Sequence, residues 1–305
     1  MNNYQVIIIG GGPAGLTAGI YATRAGLNTL LVEKMVPGGQ ITTSEWVENY
    51  PGFPQGISGF DLGQLMEDQA RKYGLEIRMA EVTGMDISEG RKILKTSEDD
   101  YSASAVIIAA GSEHAKLGIP GEEELVGKGI SYCATCDGPF FRDREVAVIG
   151  GGDVAIADAL FLSRFSSKVS VIHRRDQLRA SKILQDRAFE NGKIEFIWDT
   201  VIDAIEGDDT VKALQLRNVK TEDKSNLQVG GVFMAVGNKP NTEYLTGFLK
   251  LAPNGTIPVN IQMETEIPGV YAAGDIREGS IRQVVAAAGD GAIAAMAAER
   301  FITQA

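Results

Sequence analysis

Cys133 and Cys136 are the only cysteines among 305 residues. They stand as C-x-x-C in the run YCATCDGPFF, which spans residues 132–141. Two thiols at this spacing can close a small disulfide ring, and the thiolate is the nucleophile in disulfide exchange. Asp137 follows at once, and a carboxylate there can take and return a proton. The pair can therefore exchange two electrons and two protons, provided other residues deliver them. Zinc is the competing use. It wants four ligands at near-tetrahedral geometry; the only histidines are His114 and His173, and His173 stands at the ribose position of the second dinucleotide motif described below, so no metal is expected. Two cysteines do not make a secreted disulfide scaffold, and in a reducing cytosol such a pair is more often redox-active or metal-bound than structural.

The delivery system is readable upstream. Residues 5–9 are a β-branched apolar run, consistent with a buried parallel strand. Gly10, Gly12 and Gly15 then give G-x-G-x-x-G, with Pro13 and Ala14 inside the motif. A helical stretch follows to about Ala25, Gly26 stops it, and a second strand over 29–32 ends at Glu33. This strand–turn–helix–strand frame is the context in which the motif binds a dinucleotide. The first Gly permits the tight turn, the second lets the backbone approach a pyrophosphate, and the third lets helix and strand pack closely. The helix N-terminus faces the anion. Glu33 can accept hydrogen bonds from ribose hydroxyls and would repel a 2′-phosphate.

The pattern restarts 140 residues later. A strand over 146–149 leads into Gly150, Gly151 and Gly152, then Asp153, Val154 and Ala155, a helix to about Phe165 and a strand over 169–172. The same offset sets His173 opposite Glu33 and Arg174 opposite Lys34. Strand ends at Gly111 and Gly237 echo each other as well. The chain thus carries an internal duplication, two Rossmann-type units, hence two nucleotides. Their divergence assigns them. Where the first unit has an acid, the second has His173, Arg174, Arg175 and, four residues on, Arg179. Guanidinium groups suit phosphate bidentately, so the second unit should prefer NADP to NAD.

Other segments support the first unit. Gly38, Gly39 and Gln40, and residues 46–54 with Asn49, read as loops able to lie along a cofactor. Residues 59–73 read as an amphipathic helix, and 77–87, 93–96 and 106–110 as strands. Residues 265–275 read as an apolar strand ending at Asp275, where an acid can accept from a ribityl hydroxyl. Arg282 and Gln283 then lead into a small-residue helix over 284–298, opening at Val284.

Composition narrows the rest. The length allows two domains, and 44% hydrophobic with 23% charged residues is the ordinary globular range. A net charge of −11 argues against a nucleic-acid partner. No apolar run reaches 18 residues, so no membrane span is expected. The opening MNNYQVIIIGGG lacks a basic n-region and a cleavage site, so no signal peptide is expected; the expected location is cytoplasmic.

With GGGPAG, GGQ, ENYPGFP, CATCDG, GGGDVA, HRRDQLRAS and VYAAGDI in this order, the chain resembles the low-molecular-weight thioredoxin reductases. CATCD between two dinucleotide units is the most specific part. The resemblance implies an α/β fold of two Rossmann-like dinucleotide-binding domains of three-layer ββα type, the second inserted into the first. The FAD domain would be discontinuous, 1–114 and 241–305. The NADPH domain, 115–240, would carry the cysteines. Hinges would lie near 113–117 and 238–242. Members of the family are homodimers that reduce a thioredoxin-like protein.

By the same resemblance, FAD would be held by Gly10, Gly12, Pro13, Ala14, Gly15, Glu33, Gly38, Gly39, Gln40, Asn49, Val82, Gly111, Asp275, Arg282, Gln283 and Val284. NADPH would be held by Gly150, Gly152, Asp153, Val154, His173, Arg174, Arg175, Arg179 and Gly237. Cys136 would face the flavin, Cys133 would attack the partner's disulfide, and Asp137 would be the acid–base group. The chain departs from the family's usual pattern at Val154, where Ser or Thr is common, at Ala157-Asp158, usually two glutamates, and at Asn238, often His. Two alternatives share these motifs. One is a flavin-dependent dithiol oxidase, or a reductase fed by another donor. The other is a flavin-binding protein without turnover.

Overall fold

The computed structural model describes residues 2–44 and 46–304. Along the chain, β1 (Asn2–Ile9), α1 (Pro13–Arg24) and β2 (Thr29–Glu33) are followed by α2 (Gly59–Lys72), β3 (Glu76–Met79), β4 (Val82–Ser88), β5 (Arg91–Thr96) and β6 (Tyr101–Ile108). The short strand β7 (Ser112–His114) leads to β8 (Ile130–Ser131), the one-turn helix α3 (Ala134–Asp137), β9 (Glu145–Ile149), α4 (Asp153–Leu162), β10 (Lys168–Ile172), α5 (Lys182–Phe189) and β11 (Ile194–Ile197). Then come β12 (Thr200–Gly207), β13 (Val211–Asn218), β14 (Lys224–Gln228), β15 (Gly231–Met234), β16 (Asn238–Pro240), β17 (Val270–Ala272) and α6 (Val284–Gln304).

The chain divides into two compact units, Met1–Glu113 with Lys239–Ala305, and His114–Asn238. Its two crossings, β7 and β16, pair with each other.

In the first unit a parallel sheet runs β3-β2-β1-β6, and β17 adds to the C-terminal half of β6. The N-terminal half of β6 instead pairs antiparallel with β5, and β5 with β4. The second unit repeats the parallel part as β11-β10-β9-β15-β8, and β12, β13 and β14 form a separate antiparallel sheet. The duplication read from the glycine motifs therefore extends to five strands in matching order.

Alternation of side chains makes three layers in each unit. In β1, Val6 and Ile8 join the core under α1, α2 and α6, whereas Ile7 and Ile9 join the core toward β4. In β9, Val146 and Val148 face α4 and α5, whereas Ala147 and Ile149 face the antiparallel sheet. Ile7 and Ile8 are fully buried, and each such side chain contributes about 1.5–3 kcal/mol. This is the expected α/β architecture with parallel sheets.

Three stretches differ from their sequence readings. Residues 77–87 fall into two strands, β3 parallel to β2 and β4 antiparallel to β5. The stretch 265–275 is a strand only over Val270–Ala272. Pro268 lacks an amide proton and Gly269 takes φ +76°, so the chain turns there, with the Thr265 hydroxyl bonded to Val270 O at 2.9 Å. The small-residue helix runs on to Gln304, and its small residues serve contact with α1. A Cβ on Gly291 would stand 2.1 Å from Ala14 O. Among the described residues no helix is long and apolar enough to cross a membrane.

Candidate active site

Cys133 and Cys136 are bonded as a disulfide with Cα atoms 5.3 Å apart. The local fold makes this ring. Cys133 is the extended residue before α3, and its carbonyl accepts from the amides of Cys136 (3.1 Å) and Asp137 (3.0 Å). One helical turn thus brings residue i+3 back under residue i. The Cys133 sulfur lies 3.4 Å from Thr135 Oγ1.

Asp137 is tied to the end of β8. The Ser131 hydroxyl donates to Asp137 Oδ2 at 2.6 Å and accepts from the Cys133 amide at 3.0 Å. Burial pushes the Asp137 carboxyl above its usual range, and the Ser131 bond opposes that only in part. The proton is therefore held more tightly beside the disulfide than on a surface aspartate. Ser131 was not singled out from sequence. A serine two residues before a cysteine carries no motif, and only the strand-to-helix turn brings it to Asp137.

Behind Cys133, Tyr132 stacks on His114 at 4.3 Å between ring centres, and His114 Nδ1 lies 2.8 Å from Asn238 Oδ1. Tyr132 also donates to Glu122 at 3.3 Å. Glu122, only 1% exposed, accepts from the amides of Leu117 (3.0 Å) and Gly118 (2.7 Å). The departure at Asn238 thus has a partner in His114. Burial, with Glu122 beside it, pushes the Tyr132 hydroxyl up to about 12, so it stays protonated as a donor.

In the first unit the glycine turn is built as the motif requires. Gly10 has φ +102°, and a Cβ there would lie 2.5 Å from Ala109 O; one on Gly15 would lie 1.9 Å from Gly10 O. Gly12 opens α1 with no side-chain cap, Pro13 occupies the first turn, and Ala14 is buried. Gly38 and Gly39 lie against this turn. The Gly38 amide donates to Gly11 O at 2.8 Å, and a Cβ on Gly39 would stand 2.9 Å from Gly12 Cα. Gln40 donates to Ser112 O.

Glu33 accepts from the Gly11 amide at 2.6 Å and from the Met35 amide at 2.8 Å. A carboxylate has about four acceptor sites, so capacity for ribose hydroxyls remains. Val82 opens β4 just beyond Ala80, whose amide donates to Glu33 O at 2.9 Å. Gly111 has φ +66°, and its carbonyl accepts from the Asn241 amide at 3.1 Å.

Distant residues also meet. Asn49 donates to Gln283 at 3.1 Å across 234 positions. Asp275 accepts from Ser280 at 3.1 Å, and the Arg282 amide donates to the same hydroxyl at 3.2 Å, with Arg282 at φ +55° and Val284 opening α6. Asp290, 6% exposed, holds Arg277 bidentately at 2.6 and 3.0 Å and takes the Gly274 amide at 3.1 Å. This buried pair fixes the Gly274–Asp275 turn to α6. An isolated Asp inside an alanine-rich run gave no sign of it.

In the second unit Gly150 repeats Gly10, with φ +149° and a would-be Cβ 2.6 Å from Ala235 O. Gly152 opens α4 with no side-chain cap, and a Cβ there meets nothing within 4 Å. Asp153 accepts from the Ser181 amide at 2.7 Å, and Val154 is exposed. His173 is only 5% exposed, with Nε2 3.1 Å from Gln177 O. Burial first, then the neighbouring arginines, lowers its pKa. It is therefore a neutral packing group rather than a cation facing phosphate. Arg174, Arg175 and Arg179 line a cavity of about 370 Å³. The Arg179 amide donates to Gly151 O at 2.7 Å, which ties this loop to the glycine turn, and the Gly237 carbonyl accepts from Ala115 at 3.0 Å.

Both glycine turns fit a pyrophosphate. Each opens a helix of ten or more residues whose first amides no side chain caps, and a Cβ on Gly12 or Gly152 would meet nothing closer than 3.9 Å, which leaves room for the phosphates. Among the described residues no cluster of ligands suits a metal ion.

Two uncapped dinucleotide turns and a C-x-x-C disulfide in one chain define a nucleotide-dependent disulfide oxidoreductase. The chain belongs to the pyridine nucleotide-disulphide oxidoreductase family, whose pattern matches residues 4–291. It is 45% identical over 302 residues to the thioredoxin reductase of Bacillus subtilis, covering 99% of this chain and 95% of the relative. To that of Streptomyces coelicolor it is 47% identical over 301 residues, covering 98% and 94%. The crystal structure of thioredoxin reductase from Streptococcus pyogenes superposes with a TM-score of 0.95 at 43% identity, covering 99% of each chain.

Proposed function

We propose that this protein is a thioredoxin reductase that uses FAD and NADPH and passes electrons through Cys133 and Cys136 to the disulfide of a thioredoxin-like protein. The observation that carries the reading is the Cys133–Cys136 disulfide on one helical turn, with the half-buried acid Asp137 held beside it. Family membership and the full-length similarity to thioredoxin reductases support the same conclusion.

The first unit holds FAD at Gly10 to Gly15, Glu33, Gly38 to Gln40, Asn49, Val82, Gly111, Asp275 and Arg282 to Val284. The second holds NADPH at Gly150 to Val154, Arg174, Arg175, Arg179 and Gly237, with His173 packed beneath. Bound FAD supplies a two-electron carrier between the nicotinamide and the disulfide.

The protein's own groups do the exchange. Reduction of the Cys133–Cys136 bond by two electrons leaves two sulfurs that need protons, and the Asp137 carboxyl, its proton held by burial, can donate one. Cys133 as thiolate attacks one sulfur of the partner's disulfide, forming a mixed disulfide and releasing the partner's first thiolate. Cys136, as thiolate, then attacks the Cys133 sulfur. That step re-forms the internal disulfide and releases the second thiolate. The partner gains two electrons and, from solvent and Asp137, two protons. The serine bond fixes which way the Asp137 carboxyl points.

A homodimer and a cytoplasmic location complete the proposal. The family resemblance supports the first, and a lone redox pair suited to a reducing compartment supports the second.

Anaerobic titration with NADPH tests the reading. The flavin absorbance should bleach, and a thioredoxin disulfide added afterwards should restore it. Absent bleaching would remove NADPH as donor; bleaching that no thioredoxin-fold disulfide reverses would leave a flavoprotein without this acceptor.

A further inference from the structure

We propose that Lys220, on the turn between β13 and β14, is a further specificity-determining residue that reads the 2′-phosphate of the nucleotide. This rests on the NADPH assignment above.

Lys220 lies 44 positions beyond Asp176, on a turn of the separate antiparallel sheet, yet it lines the same cavity as Arg174, Arg175 and Arg179. The turn that carries it is built for a fixed position. The Asn218 side chain accepts from the amides of Lys220 (2.9 Å) and Thr221 (3.1 Å), and the Val219 amide donates to Asp199 O at 2.6 Å. Asp199 sits at φ +50°, a conformation that costs free energy for a residue with a Cβ. The turn is thereby fastened to the loop after β11, beside the arginine loop.

The side chain is aimed as well. Lys220 Nζ bonds Asp176 Oδ2 at 3.0 Å and Asp199 Oδ2 at 2.9 Å. An ammonium has three donors, so one is left for a ligand in the cavity. The two carboxylates raise the lysine pKa, Asp199 first, which keeps the group charged. They hold the long side chain in one place and so reduce the ordering cost of binding.

Charge fits the ligand. Four cationic side chains against two carboxylates leave two positive charges in the cavity. A phosphate monoester carries about −1.5 to −2 at pH 7. None of the three guanidiniums is in an ion pair among the described residues, so they face the ligand without prior partners, while the lysine serves as a placed point charge.

The test is binding by calorimetry, without turnover. Adenosine 2′,5′-bisphosphate and 5′-AMP are titrated into the wild type, Lys220→Met, Lys220→Arg and the double variant Arg174→Ala, Arg175→Ala. Lys220→Met should weaken the bisphosphate about tenfold, roughly one charge-assisted contact, and leave 5′-AMP unchanged. Lys220→Arg should retain most of the affinity. Wild-type affinity for the bisphosphate in Lys220→Met, with loss in the double variant, overturns the role of Lys220 and leaves the NADPH reading intact. Equal weakening of both ligands in Lys220→Met also overturns it, because the residue would then shape the site without reading the phosphate. A wild type that does not distinguish the two ligands removes both.

Discussion

The two glycine turns solve one packing problem with different chemistry. A Cβ on Gly11 would lie 3.2 Å from the Glu33 carboxylate, and one on Gly151 would lie 2.4 Å from the His173 ring. Both second strands thus end by pressing a side chain under the middle glycine of the turn. In the first unit that side chain is an acid bonded to the Gly11 amide. In the second it is an imidazole kept neutral by burial. On the proposed FAD assignment the acid would accept from a ribose hydroxyl and disfavour a phosphate at its own position. A neutral histidine would not select by charge, so on the proposed NADPH assignment discrimination would fall to Arg174, Arg175, Arg179 and the lysine that shares their cavity.

The fifth strands differ just as usefully. β17 on β6 and β8 on β15 hold the same place in the sheet order. After β17 comes the Gly274–Ile276 turn with Asp275; after β8 comes the turn with Cys133, Cys136 and Asp137. One topological position carries the acid Asp275 in one unit and the Cys133–Cys136 disulfide in the other. The sharpest break of that comparison is Cys136→Ser. The variant should keep its flavin, because the first unit is untouched, and lose thioredoxin reduction by at least about a thousandfold, as expected when a nucleophile is removed. Measurable turnover with purified thioredoxin would take the redox role away from this turn.

Glu33→Ala probes the other side. It leaves the Gly11 and Met35 amides without their carboxylate, and bonds to a charged group are worth about 1.5–3 kcal/mol. Flavin affinity should fall about tenfold or more, read as FAD content after dialysis. NADPH-site binding of adenosine 2′,5′-bisphosphate should stay at the wild-type value. Full flavin occupancy in the variant would show that the acid only packs.

Much of this contrast was legible before any coordinates. Glycine spacing fixes a turn by backbone sterics, so both βαβ units and the Glu33–His173 equivalence followed from an offset of 140. CATCD was equally plain, because cysteine is scarce and its spacing is chemical. What stayed hidden depends on long-range contact. Ser131 meets Asp137 only through the turn into α3. Glu122 stands in a run of three glutamates with no motif around it, yet it is buried against two amides and Tyr132. The antiparallel layers alternate without a motif, and the Pro268–Gly269 break inside an apolar run shortened a strand that hydrophobicity alone prolonged.

The smallest expected effect is also the most specific to the comparison. His173 has a folded pKa below its usual 6.5. Above that value the ring is neutral in both folded and unfolded chains and contributes nothing to pH dependence. As pH falls through 6.5 the unfolded chain takes up a proton that the folded one resists, so stability is lost on the acid side. One proton of difference amounts to at most about 1.4 kcal/mol per pH unit. His173→Phe keeps a ring under Gly151 and removes the titration. At pH 7 it should be slightly less stable, having lost the bond to Gln177 O, worth about 0.5–1.5 kcal/mol. Between pH 6.5 and 5 the melting curves of the two proteins should converge, at matched flavin content, because only the wild type loses stability through this ring. Parallel Tm–pH lines would mean that the ring takes up its proton equally in the folded and unfolded chains, and the contrast between a buried imidazole here and the acid in the first unit would lose its electrostatic side.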